Sequence, residues 1–406
     1  VEPCSMPARP SIRVAYFTDS FAEVNGLART SRELSGFTRR NGLPLLLVRP
    51  GEETASWSEG NQMHVQLHRA VTSIPVDSEL SFDPLLPRHL LRLRTAIRRF
   101  RPDVIHVTGP GDIGLMGAYF AFYYGIPLVA SWHNNLHELA ARRLHLLLDQ
   151  PLFSLVPRAY AAFVTSLTER GALESVTLFY KLARRLFAPN PDLVRFLGEQ
   201  TGKPVHLMRR AVDTNLFHPG RRLRQDGAFT LGFAGRLQPE KNVRLLAQVQ
   251  RALPGGHHRF LIIGEGFEKA WLRRRLRRAE FCHFLDGAEL AGAYAGMDLF
   301  LNPSLTDTYG TSTHEALASG VPAIVMNQGG PQHLIETGVN GYVCQSEAHF
   351  VRRVADLIAS PVELQRMRLE ARESACRVSW DRVFDDVYHV YEAACGHHPT
   401  DLRVAS

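Results

Sequence analysis

Two cations and a glycine near the middle of the chain could bind a diphosphate. Residues 229–234 are typical of a buried strand, Gly235 allows a tight turn, and Arg236 and Lys241 flank the start of a helix expected directly after Asn242. The first N–H groups of a helix have no partner inside it and attract anions. Each charge-assisted hydrogen bond to phosphate would contribute about 1.5–3 kcal/mol. The segment therefore predicts a diphosphate site.

Two carboxylates farther along could bind sugar hydroxyls. A buried strand runs into a loop that carries Asp307, and Glu315 lies about one turn inside the following helix. One carboxylate could meet the hydroxyls of a sugar while the other meets those of a ribose. The N–H groups of Tyr309, Gly310 and Thr311 point toward whatever lies before this helix. A paired-carboxylate hydrolase is the weaker interpretation, because these acids occur together with a phosphate site.

A glycine-rich segment in the amino half could be interpreted as a dinucleotide-binding site. Gly109, Gly111 and Gly114 fit the G-x-G-x-x-G pattern between an expected strand and an expected helix. A dinucleotide fold needs an acid about 20 residues later, at the end of the next strand. That strand ends Ser131-Trp132-His133, without an acid. Close packing of strand against helix is the favoured explanation, and absence of NAD(H) affinity would exclude the alternative.

Alternating strands and helices must position these residues. Short β-branched runs separated by helical stretches of 10–15 residues predict βαβ units and parallel sheets. One series occupies the amino half, a mostly helical region with interspersed arginines covers 136–186, and a second series spans 229–343. We expect an α/β protein with two doubly wound domains facing across a cleft, where a ligand would bind at the carboxyl ends of the strands.

One stretch raises the question of a membrane span. Residues 113–132 carry no charge and have the length that crosses a bilayer. Gly125 and Pro127 interrupt the stretch, and they would stop a helix and restart the chain as a strand. We therefore expect a buried helix over 113–124 and a buried strand over 128–132, with a transmembrane segment as the less favoured alternative.

Composition, charge and cysteine content limit the class of protein to which the chain can belong. The 406 residues are 45% hydrophobic and 21% charged, which is typical of a globular chain with two cores. The net charge is +7 and only four of the 47 basic residues are lysines; this excess suits phosphate-bearing partners or an ordinary solvated surface. Five scattered cysteines without Cys-x-x-Cys predict neither disulfides nor zinc and fit a cytoplasmic protein. Residues 1–11 are expected to be a disordered tail rather than a secretory signal.

Several motifs, in the right order, resemble those of the retaining, GT-B-fold glycosyltransferases of family 4. In the amino half, two of them are similar to members that glycosylate lipids, including mannosyltransferases and sulfolipid synthases. The resemblance covers residues 12–395, and the segments that carry it are 19–30, 132–137, 210–217, 235–242, 307–322, 328–331 and 338–341.

The resemblance implies a domain organisation. An acceptor-binding Rossmann-like domain would cover 12–218 and a linker 219–228. A nucleotide-sugar-binding Rossmann-like domain would cover 229–379. The final segment, 380–406, would be a helix that returns to the first domain.

The resemblance also implies residue roles. Gly26 would let the backbone approach the β-phosphate, and His133 would bond the sugar near its C6 hydroxyl or the acceptor. His137 and His314 are expected to be structural. The catalytic candidates are His133, Arg236, Lys241 and Asp307. The donor-binding candidates are Gly26, Gly235, Arg236, Lys241, Gly264, Asp307, Tyr309, Gly310, Thr311 and Glu315, with Arg236 and Lys241 on the diphosphate, Asp307 on the transferred sugar and Glu315 on the ribose.

The implied reaction moves a hexose from a nucleoside-diphosphate sugar, of the GDP-mannose or UDP-glucose type, to a hydroxyl acceptor such as a lipid or glycan. The acceptor would attack from the leaving-group face and pass its proton to a phosphate oxygen, so no protein nucleophile is needed. The chain contains no Asp-x-Asp, which fits a metal-independent enzyme without cofactor. Nucleic acid is not an expected partner. Arginine-bearing helices within 136–186 could rest on the inner face of a membrane, or could be an ordinary domain surface.

Two departures from the family pattern bear on activity. Asp307 stands where the family usually has a glutamate, one methylene longer. Thr311-Ser312-Thr313-His314 stands where the family has Asn and then apolar residues, beside the donor sugar. These changes leave one alternative to the enzyme: a degenerate module that binds a nucleotide sugar without transferring it.

Overall fold

The computed structural model describes most of the chain. The described residues are 12–23, 25–70, 73–75, 81–83, 85–133, 171, 173–224, 227–253 and 258–396. The expected tail over 1–11, His137 and most of the arginine-bearing region 136–186 lie outside these ranges. Within them the chain forms two compact units, one holding residues 12–188, 193–208 and 384–396 and the other 189–192 and 209–383.

The first unit is built on an eight-stranded sheet with the strand order β10-β9-β8-β7-β1-β2-β4-β3. All neighbours are parallel except β3, which runs antiparallel to β4; β5 and β6 form a separate two-stranded ribbon. The strands are β1 Val14–Phe17, β2 Leu45–Gly51, β3 Ala55–Glu59, β4 Gln62–His68, β5 Ile74–Pro75, β6 Ser81–Phe82, β7 Val104–Val107, β8 Leu128–Ser131, β9 Arg185–Ala188 and β10 Val205–Leu207.

Helices cover this sheet and bury its central strands. β1, β7 and β8 are fully buried, as expected for parallel strands with both faces covered. The helices of this unit are Gly26–Arg40, Leu90–Phe100, Asp112–Tyr124, 173–181 and Pro191–Thr201, and a 3₁₀ turn covers Leu86–His89.

The helix Asp112–Tyr124 corrects one expectation. The expected buried strand is present as β8, but the helix before it is buried on one face only. Four apolar side chains share its exposed face, and Phe122 is 91% exposed; the four are Leu115, Tyr119, Phe122 and Tyr123. After Asp112 the helix carries no charge on either face, so the sequence alone could not reveal that one face is uncovered. Among the described residues no helix is long and apolar enough to cross a membrane.

The second unit contains an all-parallel, six-stranded sheet with the order β13-β12-β11-β14-β15-β16. In the numbering of its own strands this is 3-2-1-4-5-6, the doubly wound order of dinucleotide-binding folds. Its strands are β11 Phe229–Ala234, β12 His258–Ile263, β13 Ala279–Cys282, β14 Leu299–Asn302, β15 Ala323–Met326 and β16 Gly341–Cys344.

The helices of the second unit follow its strands, with one displaced start. The helix expected directly after Asn242 begins at Leu245, because Pro239 opens a 3₁₀ turn and Asn242 adopts a left-handed conformation (φ 49°). The α-helices are Leu245–Ala252, Lys269–Arg275, Gly287–Ala295, Thr311–Ala318, Glu347–Ile358 and Pro361–Cys376, and the 3₁₀ turns are Pro219–Arg221, Pro239–Lys241 and Pro331–Leu334.

Residues just before the expected linker pack with the second unit. The Arg372 guanidinium donates to the backbone oxygens of Phe217 and Thr214 at 2.7 and 2.9 Å. The Phe217 ring lies edge-on to Tyr294 in the core of this unit, with 5.7 Å between ring centroids. The segment 209–217 is therefore part of the second compact unit.

The last helix, Trp380–Ala394, packs on the first unit, which confirms the expected return of the chain. The rings of Phe384 and Tyr388 lie 5.5 and 5.9 Å from that of Phe37 in the helix Gly26–Arg40. At the far end, Arg185 in β9 donates to the Ala393 oxygen at 3.4 Å. Helical spacing of apolar residues places these rings on one face.

Candidate active site

The predicted donor residues of the second unit meet at one edge of its sheet. β11 lies between β12 and β14, and the chain leaves β11 and β14 toward opposite sides of the sheet. Parallel sheets of this order bind ligands at that switch point, outside the carboxyl ends of the strands. The segment 235–241 follows β11 and the Asp307 loop follows β14, so the two motifs that the sequence separates by about 65 residues are neighbours.

Gly235 and Gly264 bring two loops into close contact at this edge. The Gly235 N–H donates to the Ile263 oxygen at 3.0 Å, which extends the pairing of β11 with β12. A Cβ on Gly264 would lie 2.1 Å from the Gly235 oxygen, and φ at Gly264 is 136°. Only glycine satisfies both the conformation and the approach. The backbone at these two glycines therefore carries no side chain.

Lys241 and Asp307 form an ion pair across the switch point. The Lys241 Nζ contacts Asp307 Oδ1, and Asn302 at the end of β14 donates to Asp307 Oδ2 at 3.3 Å. The side chains are 19% and 13% exposed, respectively. Burial alone would raise the pKa of Asp307, but the charge and hydrogen bond of Lys241, aided by Asn302, hold it below its usual value. Asp307 is therefore ionised at neutral pH, despite its shorter side chain.

Arg236 supplies a more accessible cation beside this pair. Its side chain is 40% exposed and its Nη2 lies 4.0 Å from Glu240 Oε1. Thr306 donates to the Glu240 oxygen at 3.3 Å, so the Arg236 loop and the Asp307 loop are joined. A surface ion pair at this distance contributes little to stability. This ion pair therefore opposes the binding of a phosphate to the guanidinium only weakly.

The amino end of the helix Thr311–Ala318 faces the same edge. Gly310 begins it with φ 92°, and a Cβ there would lie 2.8 Å from the Pro331 ring. The Gly330 N–H donates to the Asp307 oxygen at 2.6 Å. The 328–331 motif therefore holds the Asp307 loop in place.

Two further predicted donor residues are buried here. Glu315 is 7% exposed. The Tyr309 hydroxyl donates to the Arg210 oxygen and lies 3.1 Å from His314 Nδ1. The Tyr309 side chain therefore points into the protein, where its ring contacts that of the buried His314. The structural role of His314 stays a prediction.

Gly26 lies at the corresponding edge of the first unit. It is the first residue of the helix after β1, and Asn25 caps that helix by accepting from the Ala28 N–H at 2.8 Å. Asn25 in turn donates to Ser20 Oγ at 2.8 Å, and Ser20 donates to Glu23 at 2.8 Å. These bonds hold the loop that presents Gly26.

His133 follows β8 and ends a chain of buried hydrogen bonds. Its Nε2 lies 2.7 Å from Ser131 Oγ, Ser131 Oγ lies 3.0 Å from His106 Nε2, and His106 Nδ1 lies 2.6 Å from the Tyr391 hydroxyl. Burial lowers the pKa of His106 to about 3, so this ring is neutral. Sequence reasoning missed Ser131, His106 and Tyr391; a histidine inside the apolar strand Val104–Val107 was the available signal.

The hydrogen-bond donor of each contact in this chain can be assigned, because a buried polar group needs a hydrogen-bond partner. In the described part of the protein the Tyr391 hydroxyl has one hydrogen-bond partner, His106, so this buried O–H must donate there to avoid an unsatisfied donor. His106 then donates from Nε2 to Ser131, and Ser131 donates to His133 Nε2. His133 accordingly carries its proton on Nδ1.

The glycine-rich segment 109–114 is closed to a dinucleotide. A Cβ on Gly114 would lie 1.8 Å from the Gly109 oxygen, which is the close strand–helix packing expected. The Ile113 N–H at the start of the helix donates to Asp19 Oδ1 at 3.1 Å and to Asp112 Oδ1 at 2.8 Å. The helix terminus therefore already holds carboxylates, and the structure disfavours NAD binding.

Asp19 and Asp112 are buried side by side with Arg69. The Arg69 Nη2 lies 2.7 Å from Asp112 Oδ1 and 3.6 Å from Asp19 Oδ1. Burial, and then the neighbouring charge of Asp112, raise the pKa of Asp19 to about 8, although Arg69 lowers it. One guanidinium does not neutralise two buried carboxylates, so Asp19 holds a proton at neutral pH. No sequence pattern indicated this cluster, apart from the position of Asp19 within the first amino-terminal motif.

The second unit has a doubly wound sheet with cations, bare backbone and a carboxylate at its switch point. It is preceded by another Rossmann-like unit, to which the last helix returns. Together these features define a GT-B glycosyltransferase that uses a nucleotide-sugar donor. The chain belongs to glycosyltransferase family 4: residues 24–216 match the model described as Glycosyltransferase Family 4, and 228–360 match Glycosyl transferases group 1. It is a retaining hexosyltransferase, and the family predicted from its motifs is confirmed.

Individual relatives are similar over most of the chain. A GDP-mannose-dependent alpha-mannosyltransferase from Mycobacterium tuberculosis is 31% identical over 96% of this chain and 98% of its own. A sulfoquinovosyl transferase from Arabidopsis thaliana is 28% identical over 62% of this chain and 48% of its own. A sucrose-phosphate synthase structure from Thermosynechococcus elongatus superposes with a TM-score of 0.67 at 13% identity, covering 95% of this chain and 100% of that one.

Proposed function

We propose that the protein transfers mannose from GDP-mannose to a hydroxyl acceptor. The observation that carries this proposal is the cluster of Arg236, Lys241 and Asp307 at the switch point of the second sheet. The choice of GDP-mannose is supported by the activity named for the mycobacterial relative, which is similar from end to end. UDP-glucose is the donor against which this choice is tested.

Arg236 and Lys241 hold the donor diphosphate in this proposal. Lys241 is paired with Asp307 in the structure. When the donor binds, its phosphate replaces Asp307 as the partner of the Lys241 ammonium group. The Asp307 carboxylate can then accept hydrogen bonds from the sugar hydroxyls. Glu315 binds the ribose. The backbone at Gly235, Gly264 and residues 309–311 lines the nucleotide, and the bare, closely packed glycines support that role.

Catalysis follows from charge that develops as the glycosidic bond breaks. The diphosphate becomes more negative while the sugar becomes cation-like, so Arg236 and Lys241 stabilise the transition state more than the ground state. The acceptor attacks from the face of the leaving group and a phosphate oxygen takes its proton. In this scheme neither a metal nor a protein nucleophile is needed.

Two residues of the first unit have roles in this proposal. Gly26 admits the β-phosphate beside the helix start, and His133 forms a hydrogen bond with the sugar near C6 or with the acceptor. The hydrogen-bond chain from Tyr391 supports a fixed donor at His133. A preorganised donor loses no orientational freedom during the reaction.

The acceptor is a lipid or glycan hydroxyl at the inner face of a membrane. The exposed apolar face of the helix Asp112–Tyr124, with Phe122 almost fully exposed beside Tyr119 and Tyr123, supports contact with a lipid surface. Aromatic side chains suit the boundary between headgroups and acyl chains. The enzyme would then be cytoplasmic and peripheral.

Calorimetric titration with GDP, UDP and ADP in the presence of EDTA tests the donor. We expect GDP to bind more than tenfold tighter than UDP or ADP. Lys241→Ala should weaken GDP binding about 10- to 100-fold, as for the loss of one charge-assisted contact of 1.5–3 kcal/mol. Lys181→Ala, an exposed lysine of the first unit, is the control.

Turnover of GDP-mannose with lipid and glycan acceptors completes this test. Product that depends on the donor and is lost in Lys241→Ala supports transfer. Preference for UDP-glucose overturns the donor assignment. Tight GDP binding without product across these acceptors would favour the degenerate binding module.

A further inference from the structure

A second cationic cavity lies in the second unit. It has a volume of about 760 Å³ and is lined by five arginines around one tryptophan. We call it the arginine pocket; its charged and aromatic lining consists of Arg251, Arg274, Arg275, Arg277, Arg278 and Trp271.

The arginine pocket lies at the edge of the sheet opposite to the donor residues. Its lining includes His258, the first residue of β12, and Arg278, which directly precedes β13. Gly264 follows the other end of β12, six strand residues later. At about 3.3 Å per residue, the length of β12 separates the two ends by roughly 20 Å. The pocket is therefore distinct from the proposed donor site.

The positive charge of the pocket is not neutralised by the protein. Within the described ranges, none of its five arginines forms an ion pair with a carboxylate. The nearby acids are used elsewhere, because Glu265 pairs with Lys269 and Glu268 pairs with Arg244. Burial and the charge of Arg278 lower the pKa of His258, so that ring stays neutral at pH 7. Like charges gathered in a concave surface focus a positive potential.

Specific contacts hold the pocket in shape. Gln250 accepts from the Arg277 N–H and donates to the Arg275 oxygen, both at 2.9 Å, and so ties the arginine loop to the helix Leu245–Ala252. The Arg275 guanidinium lies 4.1 Å from the centroid of the Trp271 ring, a cation–π distance. The Arg274 Nε donates to the Ala270 oxygen at 3.2 Å. These arginines are thus partly ordered before any ligand arrives.

We propose that the arginine pocket is a second anion site, which binds a phosphate-bearing group other than the sugar donor. Guanidinium groups match phosphate oxygens in pairs, and several of them around one cavity suit a group with at least two negative charges. A cavity of this volume holds a pyrophosphate or a phosphorylated headgroup. The phosphate could belong to an anionic lipid or to a free metabolite.

Binding of two probes to the full chain tests this proposal. The soluble probe is inorganic pyrophosphate, titrated with GDP present to fill the donor site. The membrane probe is a vesicle of phosphatidylglycerol in phosphatidylcholine, compared with pure phosphatidylcholine. The pocket variant is Arg277→Gln/Arg278→Gln. The matched control is Arg98→Gln/Arg99→Gln, an adjacent exposed pair in the helix Leu90–Phe100 with the same charge change.

We expect the pocket variant to bind one of these probes at least tenfold more weakly than the wild type. The control variant should lose less than twofold in affinity, and the affinity for GDP should be unchanged in both variants. Loss of vesicle binding alone identifies a lipid headgroup, and loss of pyrophosphate binding alone identifies a soluble ligand. Equal losses in both variants would reveal only general charge attraction and overturn the proposal. Absence of binding by both probes, or displacement of both by a single-stranded RNA oligonucleotide, would also overturn it. Failure of GDP binding in the wild type would instead count against the proposed function.

Discussion

The Tyr391 hydroxyl in the last helix lies 2.6 Å from His106 Nδ1 in β7, although 285 residues separate them in the chain. Through Ser131, this contact reaches His133 and sets which of its nitrogens carries the proton. The return of the last helix to the first unit therefore does more than add buried area. It completes the hydrogen bonding of a candidate catalytic side chain.

Tyr391→Phe should lower kcat about 3- to 10-fold, with KM for the donor within twofold of wild type. The ring remains, but His106 loses the donor that fixes its tautomer, at a cost near that of one neutral hydrogen bond of about 1 kcal/mol. Steady-state kinetics between pH 6 and 9 measure this, and we expect an altered pH profile of kcat. Tyr388→Phe, one turn away on the same helix and outside the hydrogen-bond chain, is the control. Equal effects of the two variants would show that the chain has no part in catalysis.

Asp307→Asn should separate sugar binding from diphosphate binding. We expect kcat/KM for the sugar donor to fall about 10- to 100-fold, because one charge-assisted contact to the sugar is lost. GDP affinity should stay within threefold or rise, because Lys241 is released from its partner. Kinetics and calorimetry on the same preparation measure both quantities. Equal losses in the two would mean that Asp307 positions Lys241 for the diphosphate instead of binding the sugar.

Asp19→Asn should remove a pH dependence of stability. The pKa of Asp19 is about 8 in the folded protein and 3.8 in a free side chain, so folding favours the protonated carboxyl. Its stabilising contribution is complete below pH 4 and is lost as the pH rises toward 8, with a slope of at most about 1.4 kcal/mol per pH unit. Asparagine stays neutral throughout this range.

Urea unfolding at intervals from pH 5 to 8.5 checks this expectation. The wild-type midpoint should fall with pH more steeply than that of Asp19→Asn, so the two curves diverge toward alkaline pH. Asp286→Asn, at an exposed site in the second unit, should follow the wild type. Parallel curves for wild type and Asp19→Asn would mean that Asp19 is ionised in the folded state.

Gly264→Ala should disrupt the donor loop. The new methyl group would lie 2.1 Å from the Gly235 oxygen at a left-handed φ of 136°, so both overlap and backbone strain oppose it. We expect a loss of about 2–4 kcal/mol in the free energy of unfolding, and at least tenfold weaker GDP binding. Gly338→Ala, at φ 83° with open space around the added carbon, isolates the backbone strain and should cost about 1 kcal/mol without affecting GDP. Unchanged GDP affinity in Gly264→Ala would remove this loop from the site.

Local sequence patterns predicted the main strands and helices. They failed at positions where tertiary contacts decide the structure. The alternation of β-branched runs and helices predicted both parallel sheets, and the donor motifs predicted residues that the structure brings together in the second unit. The hairpin of β3 and β4 was missed, although Gly60 with φ 58° is the turn signal it needed. The exposed face of the helix Asp112–Tyr124 was missed because the residues after Asp112 carry no charge that would indicate which side is covered.

The sequence by itself determined the contacts between residues that lie within one turn or loop of each other. Gly235 with Arg236, and Gly310 with the helix that follows it, are consequences of local spacing, because a helix start and the loop before it are built from consecutive residues. Only the tertiary structure decided contacts between distant segments: Lys241 with Asp307, Tyr391 with His106, and the shared burial of Asp19 and Asp112. Strand order and helix packing set those distances, and neither is encoded in the spacing of any single motif.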